Sequence, residues 1–283
     1  PRATLSSSAA ASDVYKRQSQ TRAVIDGLEA DVVGLALGGD VLKLQKAGLI
    51  EAGWDKELPH DSTITHSVVA LITREGNPKG IRTWKDLGKA GVSVVTANPK
   101  TSGGARWNFL ALWGSASRDG GSEAQARAFV GQVYGNVESL PRDAREASDV
   151  FLKRGQGDVL LNYENEAIQA RKSGELTQSF LVPEQNIRID APIAVVDRNV
   201  DKHGTRKAAE ALATFLQSEK AQTIFAEEGF RPVNETVWTK VKDRFAPVPR
   251  LFSVADFGGW EKVNATFFGD GGLWDQLFRQ RRG

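Results

Sequence analysis

The residues best placed to do chemistry stand at 96–108, TANPKTSGGARWN. Ser102, Gly103 and Gly104 follow a strand-like run and precede a helix-like one. They therefore fall at a helix N-terminus, where the first N–H groups have no acceptor within the helix. Glycines carry no Cβ, so an anion can approach the backbone closely, and the helix dipole favours negative charge there. The same residues also suit a plain glycine-rich turn capped by Ser102, and spacing alone leaves both readings open. The stretch is neither a G-x-G-x-x-G fingerprint nor a P-loop, which disfavours a nucleotide.

A second candidate is 140–148, LPRDAREAS, at the start of another helix. Ala144 N–H is a terminal donor there, although ordinary capping by Asp143 accounts for the same residues. A third is 158–167, DVLLNYENEA, which puts Tyr163 at the C-terminal end of a strand, where open α/β sheets bind ligands. Its hydroxyl can donate one hydrogen bond, and packing is the plainer role. Glu164 and Glu166 are two apart on a helix and point to different faces, so they form no acid/base pair. His60, His66 and His203 show no metal-ligand spacing and read as surface or loop residues. No G-x-S-x-G elbow is present. These absences argue against an enzyme, and no metal or cofactor is expected.

The elements that position these residues alternate along the chain. Strand-like runs stand at 31–37, 67–73, 92–96, 158–162 and 193–197. Helix-like segments stand at 41–47, 105–113, 123–134, 145–154, 164–172, 207–216 and 220–228. Such alternation predicts an α/β protein with mostly parallel sheets. The late aromatics Trp238, Phe252, Trp260, Phe267, Phe268, Trp274 and Phe278 read as core and lobe-covering residues.

Composition narrows the class. The chain has 283 residues, 37 basic against 35 acidic, for a net charge of +2. The basic residues are dispersed, so a nucleic-acid partner is not implied. The tail with Arg279, Arg281 and Arg282 reads as a frayed, solvated end. With no cysteine there is neither a disulfide framework nor a thiolate metal site. No apolar run approaches the roughly 20 residues of a membrane span. Methionine is absent, so residue 1 is not a translation start, and the chain reads as a processed product or fragment. Residues 1–18, PRATLSSSAAASDVYKRQ, show no periodicity and read as a disordered or non-native leader, or a transit-peptide remnant.

Taken together, 24–33 (VIDGLEADVV), 74–81 (REGNPKGI), 91–108, 155–167, 230–233 (FRPV) and 258–260 (GGW) resemble the sulfate/thiosulfate-binding proteins of ABC importers, from about Ser19 to Leu277. The resemblance implies the type II periplasmic-binding-protein fold: two α/β lobes with the anion buried between them. It implies backbone donors at Gly103, Gly104 and Ala144, with Tyr163 where the family often has tryptophan. Ser102, Arg106 and Arg145 take supporting roles. The expected division is lobe I over 19–72 and 194–283 and lobe II over 73–193, with the chain crossing near Thr73 and Ile193. Family members carry a first strand, a helix, a second strand and two donor loops ahead of the residue matching Ser19. None precedes it here, so the chain reads as N-terminally truncated and is expected to bind sulfate poorly.

The implied partners are sulfate or thiosulfate and the importer's membrane subunits, and the implied location is the periplasm, with a plastid relative as the alternative. A monomer is expected. Competing readings are a binding protein for another oxyanion, and the effector domain of a transcription regulator. The latter needs a helix-turn-helix ahead of Ser19, and none is present.

Overall fold

The computed structural model describes residues 17–177 and 179–282, with side chains from 20 to 278. Arg17–Ile25 (α1), Val32–Gly34 (β1), Gly38–Lys46 (α2), Thr63–Ser67 (β2) and Val69–Thr73 (β3) come first. Val94–Val95 (β4), Gly103–Ser117 (α3), Glu123–Gly135 (α4), Ala144–Ser148 (α5), Val159–Tyr163 (β5) and Glu164–Lys172 (α6) follow. Next stand Phe180–Leu181 (β6), Gln185–Ile187 (β7), Ile189–Val195 (β8), Asp197–His203 (α7), Arg206–Leu216 (α8) and Glu219–Glu227 (α9). The chain closes with Arg231–Pro232 (β9), Glu235–Val241 (α10), Arg250–Phe252 (β10), Gly259–Val263 (α11) and Leu273–Arg282 (α12).

The fold is α/β with two lobes, each built on a four-stranded sheet. One sheet has the order β1-β8-β2-β9 and the other β4-β5-β3-β6. Strands β3 and β5 are buried along their whole length, as expected of central strands covered on both faces. Helix α3 is apolar all round, with Trp107, Phe109, Leu110 and Leu112 fully buried. A helix of that composition has to be covered on every side.

The expectation of mostly parallel sheets fails. Strands β1–β8, β2–β8, β2–β9, β3–β5 and β3–β6 all pair antiparallel. Among the described strands, β4–β5 and β10–β7 are the parallel pairs. The cause lies between the lobes. The run 67–73 is not one strand: β2 lies in the first sheet and β3 in the second, so the chain passes over at Val68. It returns at Arg188, between β7 and β8, in the opposite direction. The outgoing strand β2 and the returning strand β8 run in opposite senses, so they pair antiparallel in the first sheet. The crossings therefore lie at Val68 and Arg188 rather than near Thr73 and Ile193. The buried Asn186 amide stitches them: its Oδ1 accepts from Val69 N at 3.1 Å and its Nδ2 donates to Val69 O at 2.8 Å.

The C-terminal assignment also needs correction. Phe252, Phe267, Phe268 and Trp274 share one core with Phe109 and Tyr134 of helices α3 and α4, a core that also takes in Ala36, Leu37 and Ile189 of the first lobe. Phe267, Phe268 and Trp274 meet the Phe109 ring edge-on at centroid distances of 5.8, 5.4 and 6.0 Å. Residues from about 250 onward thus cover helix α3 of the second lobe, while Trp260 and Asn264 also close on Gly38 and Gly39 at the start of α2 in the first. Helix α12 runs to Arg282, so the arginine tail is not frayed. The leader assignment falls outside the described residues except at Arg17 and Gln18, which open α1. Among the described residues no helix is long and apolar enough to cross a membrane.

Candidate anion-binding site

Strand β4 ends at Val95, and the loop 96–102 carries the chain to α3. That loop is fixed by its own polar groups. Ser102 N donates to Asn98 O and Lys100 N to Asn98 Oδ1, both at 2.9 Å. From α3, Asn108 Nδ2 donates to Thr96 Oγ1 at 3.1 Å and Leu161 O at 3.2 Å, tying helix, loop and β5 together. Arg106 is buried and braces the loop from behind. Its Nε donates to Pro99 O at 3.0 Å and its Nη1 to Asn264 Oδ1 at 3.1 Å. Burial pulls the Arg106 pKa below its ordinary value, and Asp40 opposes that shift.

Ser102 is extended, and its hydroxyl accepts from Ala105 N at 3.3 Å, which makes it the cap of α3. Gly103 and Gly104 follow, ahead of the first intrahelical bond, so the helix offers their N–H groups no acceptor. The first turn holds no acid, and the positive end of a 15-residue helix is not neutralised by its own side chains.

Space is tight at Gly104 and close-packed at Gly103. A Cβ on Gly104 would stand 3.2 Å from Tyr163 Oη. One on Gly103 would stand 3.4 Å from Ala36 Cβ and Leu37 Cδ1. The start of α3 therefore lies between Tyr163 of its own lobe and the segment that follows β1 in the other. One turn further on, Trp107 Nε1 crosses between lobes to donate to Ala36 O at 3.0 Å. Tyr163 ends β5 and is 7% exposed, so its ring is held by packing. A cavity of about 30 Å³ opens beside it, bounded by Ala36, Thr65, Ser67 and Phe230.

Ala144 begins α5, whose cap Asp143 accepts from Glu146 N at 2.9 Å. Two bonds tie this second helix start to the loop before α3. Asn98 N donates to Pro141 O at 2.9 Å, and Thr101 Oγ1 donates to Arg142 O at 2.6 Å. The structure thus gathers Ser102, Gly103, Gly104 and Tyr163 and joins Ala144 to them through one loop. Arg145 instead lines a hollow of about 370 Å³ on the second lobe, with Lys153 and Glu166.

The histidines are not all surface residues. His66 lies in β2 with its side chain 22% exposed, 2.8 Å from Asp190 on the neighbouring strand β8. Burial opposes ionisation of Asp190, but the His66 imidazole and the Arg188 guanidinium outweigh it and hold the carboxyl below the usual range. Among the described residues no group of three His, Asp or Glu is placed to hold a metal.

Sequence reasoning missed two features. The motif SGGARWN gives no sign that its Trp107 bonds the opposite lobe. Glu164 does point away from Glu166, but into a buried pairing with Arg231 of β9, at 2.6 and 3.0 Å. The FRPV run that holds Arg231 was noticed as a motif without a role.

The family profile of bacterial extracellular solute-binding proteins matches residues 6–231. A relative from Synechococcus elongatus called "Sulfate-binding protein" is 56% identical over 92% of this chain and 74% of its own length. A "Thiosulfate-binding protein" from Pseudomonas aeruginosa is 40% identical over 92% of this chain and 79% of its own. Among solved structures, the sulfate-binding protein SubI of Mycobacterium tuberculosis H37Rv superposes with a TM-score of 0.82 at 36% identity, covering 90% of this chain and 86% of that one. With this fold and these relatives, the chain belongs to the sulfate/thiosulfate-binding proteins among the bacterial extracellular solute-binding proteins.

Proposed function

We propose that this chain binds sulfate or thiosulfate between its lobes through neutral hydrogen-bond donors, performs no chemistry on it, and delivers it to an ABC importer in the periplasm. The observation that carries the reading is the start of α3: two glycines at an acid-free helix end, under Tyr163 and against Ala36 of the other lobe. The relatives' names supply the anion. The donors assigned are the N–H groups of Gly103, Gly104 and Ala144, with the Tyr163 hydroxyl beside them. Ser102 caps and Arg106 braces, while Arg145, assigned a supporting role by the resemblance, lies apart from them in the hollow beside α5. Lobe I takes 17–67 and 189–249, and lobe II takes 69–187 and 250–282.

A site made only of donors selects by protonation. Charge-assisted N–H···O⁻ bonds replace the hydration of a dianion. Sulfate carries no proton at neutral pH, whereas phosphate usually carries one. That proton would lack an acceptor in a dry cleft, at a cost of about 1–3 kcal/mol. Isothermal titration with sulfate, thiosulfate, molybdate and phosphate tests the reading, on the chain as given and with a family-like segment ahead of Ser19. Heat from sulfate or thiosulfate and none from phosphate is expected, weak on the chain as given and stronger with the added segment. Equal binding of phosphate would overturn the donor-only site.

A further inference from the structure

Arg231 and Glu164 form the most completely buried ion pair of known geometry in the described chain. Arg231 Nε donates to Glu164 Oε2 at 2.6 Å and its Nη2 to Glu164 Oε1 at 3.0 Å, with the side chains 10% and 1% exposed. The Nη2 also donates to Ala246 O at 2.7 Å, and the rings of Trp238 and Phe245 lie 5.9 and 5.5 Å from the guanidinium carbon. The guanidinium is thus held by both its bonds and its packing. The two residues belong to different lobes: Arg231 to β9, paired with β2, and Glu164 to the first turn of α6.

The place of Glu164 gives the pair its meaning. It directly follows Tyr163, whose hydroxyl overhangs Gly104. Glu164 N donates to Val68 O at 2.9 Å, at the point where the chain passes between lobes. Ser67 Oγ donates to the Asn165 side chain at 2.8 Å. Three consecutive residues, Tyr163 to Asn165, are therefore clipped between the passage and the first lobe. A bidentate pair fixes the angle of both planar groups as well as their distance.

We propose that Arg231 is a positioning residue for anion binding: through Glu164 it sets the turn from β5 into α6 and so aims the Tyr163 hydroxyl at the start of α3. Arg231 touches no anion in this arrangement. Its effect reaches the ligand only through Tyr163. The proposal rests on the reading of the α3 start as the anion site.

A double-substitution cycle tests it. Arg231→Lys keeps the charge and loses the fork, and Tyr163→Phe removes the hydroxyl. Sulfate affinity is measured for both singles and the double by titration. Each single is expected to lower affinity by about 5- to 10-fold, and the double by no more than the larger single. Multiplying effects would make Arg231 a structural residue and overturn the proposal. A second readout needs no sulfate. The chain has three tyrosines, Tyr15, Tyr134 and Tyr163, so 3-fluorotyrosine gives few resonances, and Tyr163→Phe identifies one. Arg231→Lys, or Glu164→Gln if the former does not fold, is expected to shift that resonance and leave that of Tyr134 in place. An unmoved Tyr163 resonance sinks the positioning role. A moved resonance with no sulfate binding by the otherwise unsubstituted chain, even with a family-like segment ahead of Ser19, sinks the sulfate reading and leaves the positioning of Tyr163 standing.

Discussion

Two helix starts tied to the loop 96–102 are built differently. Helix α3 is 15 residues long, is capped by a neutral serine, opens on two glycines and has no acid in its first turn. Helix α5 is five residues long, is capped by Asp143 and carries Glu146 in its first turn. Glu146 also reaches back, its Oε2 accepting from Arg142 N at 2.8 Å. The positive end of α5 is thus partly answered by its own carboxylates, and that of α3 has no carboxylate of its own first turn beside it.

The substitution that would break this comparison most sharply is Gly104→Val. Its Cβ starts 3.2 Å from Tyr163 Oη, and the added methyls leave no room for an anion. Sulfate affinity is expected to fall by well over tenfold with the fold intact, as read by titration and far-UV circular dichroism. Unchanged affinity would remove the α3 start from the site.

Ala144→Pro asks whether α5 contributes at all. Proline is tolerated at the first helical position, and Asp143 is already extended at φ −146° and ψ 172°, as a residue before proline should be. The change deletes one N–H and little else. A hydrogen bond to a charged group contributes roughly 1.5–3 kcal/mol, so about a 10- to 100-fold loss is expected. No loss in titration would leave α3 as the sole helix donor.

The smallest effect sharpens the contrast. Asp143→Asn keeps the cap, since asparagine accepts from the backbone equally well, and removes a negative charge beside the anion. Affinity is expected to rise by about 2- to 5-fold at low salt and to lose that gain at high salt, where screening is strong. A fall in affinity would mean that the Asp143 charge orders the helix start.

Much of this was readable in advance because it is local. The donor motif, its cap and its position between a strand and a helix follow from residues 96–108, since capping and glycine chemistry act within a few residues. The helix expected at 123–134 is observed as Glu123–Gly135, because Ser122 and Gln125 form a capping box visible in the sequence. The run 67–73 was misread because an apolar strand looks the same whether it stays in one sheet or bends between two.

By itself, then, the sequence determined the alternation of elements, the neutral helix start at Ser102–Gly104 and the burial of the late aromatics. Only the tertiary structure decided where the chain passes between lobes, which lobe the aromatics cover and what Glu164 faces. Arg231 is 67 residues away from Glu164, and Asn264 is 158 from Arg106. Local propensity and periodicity carry no information over such separations. Those contacts are selected by packing, where an apolar helix must be covered and a buried charge must find its partner.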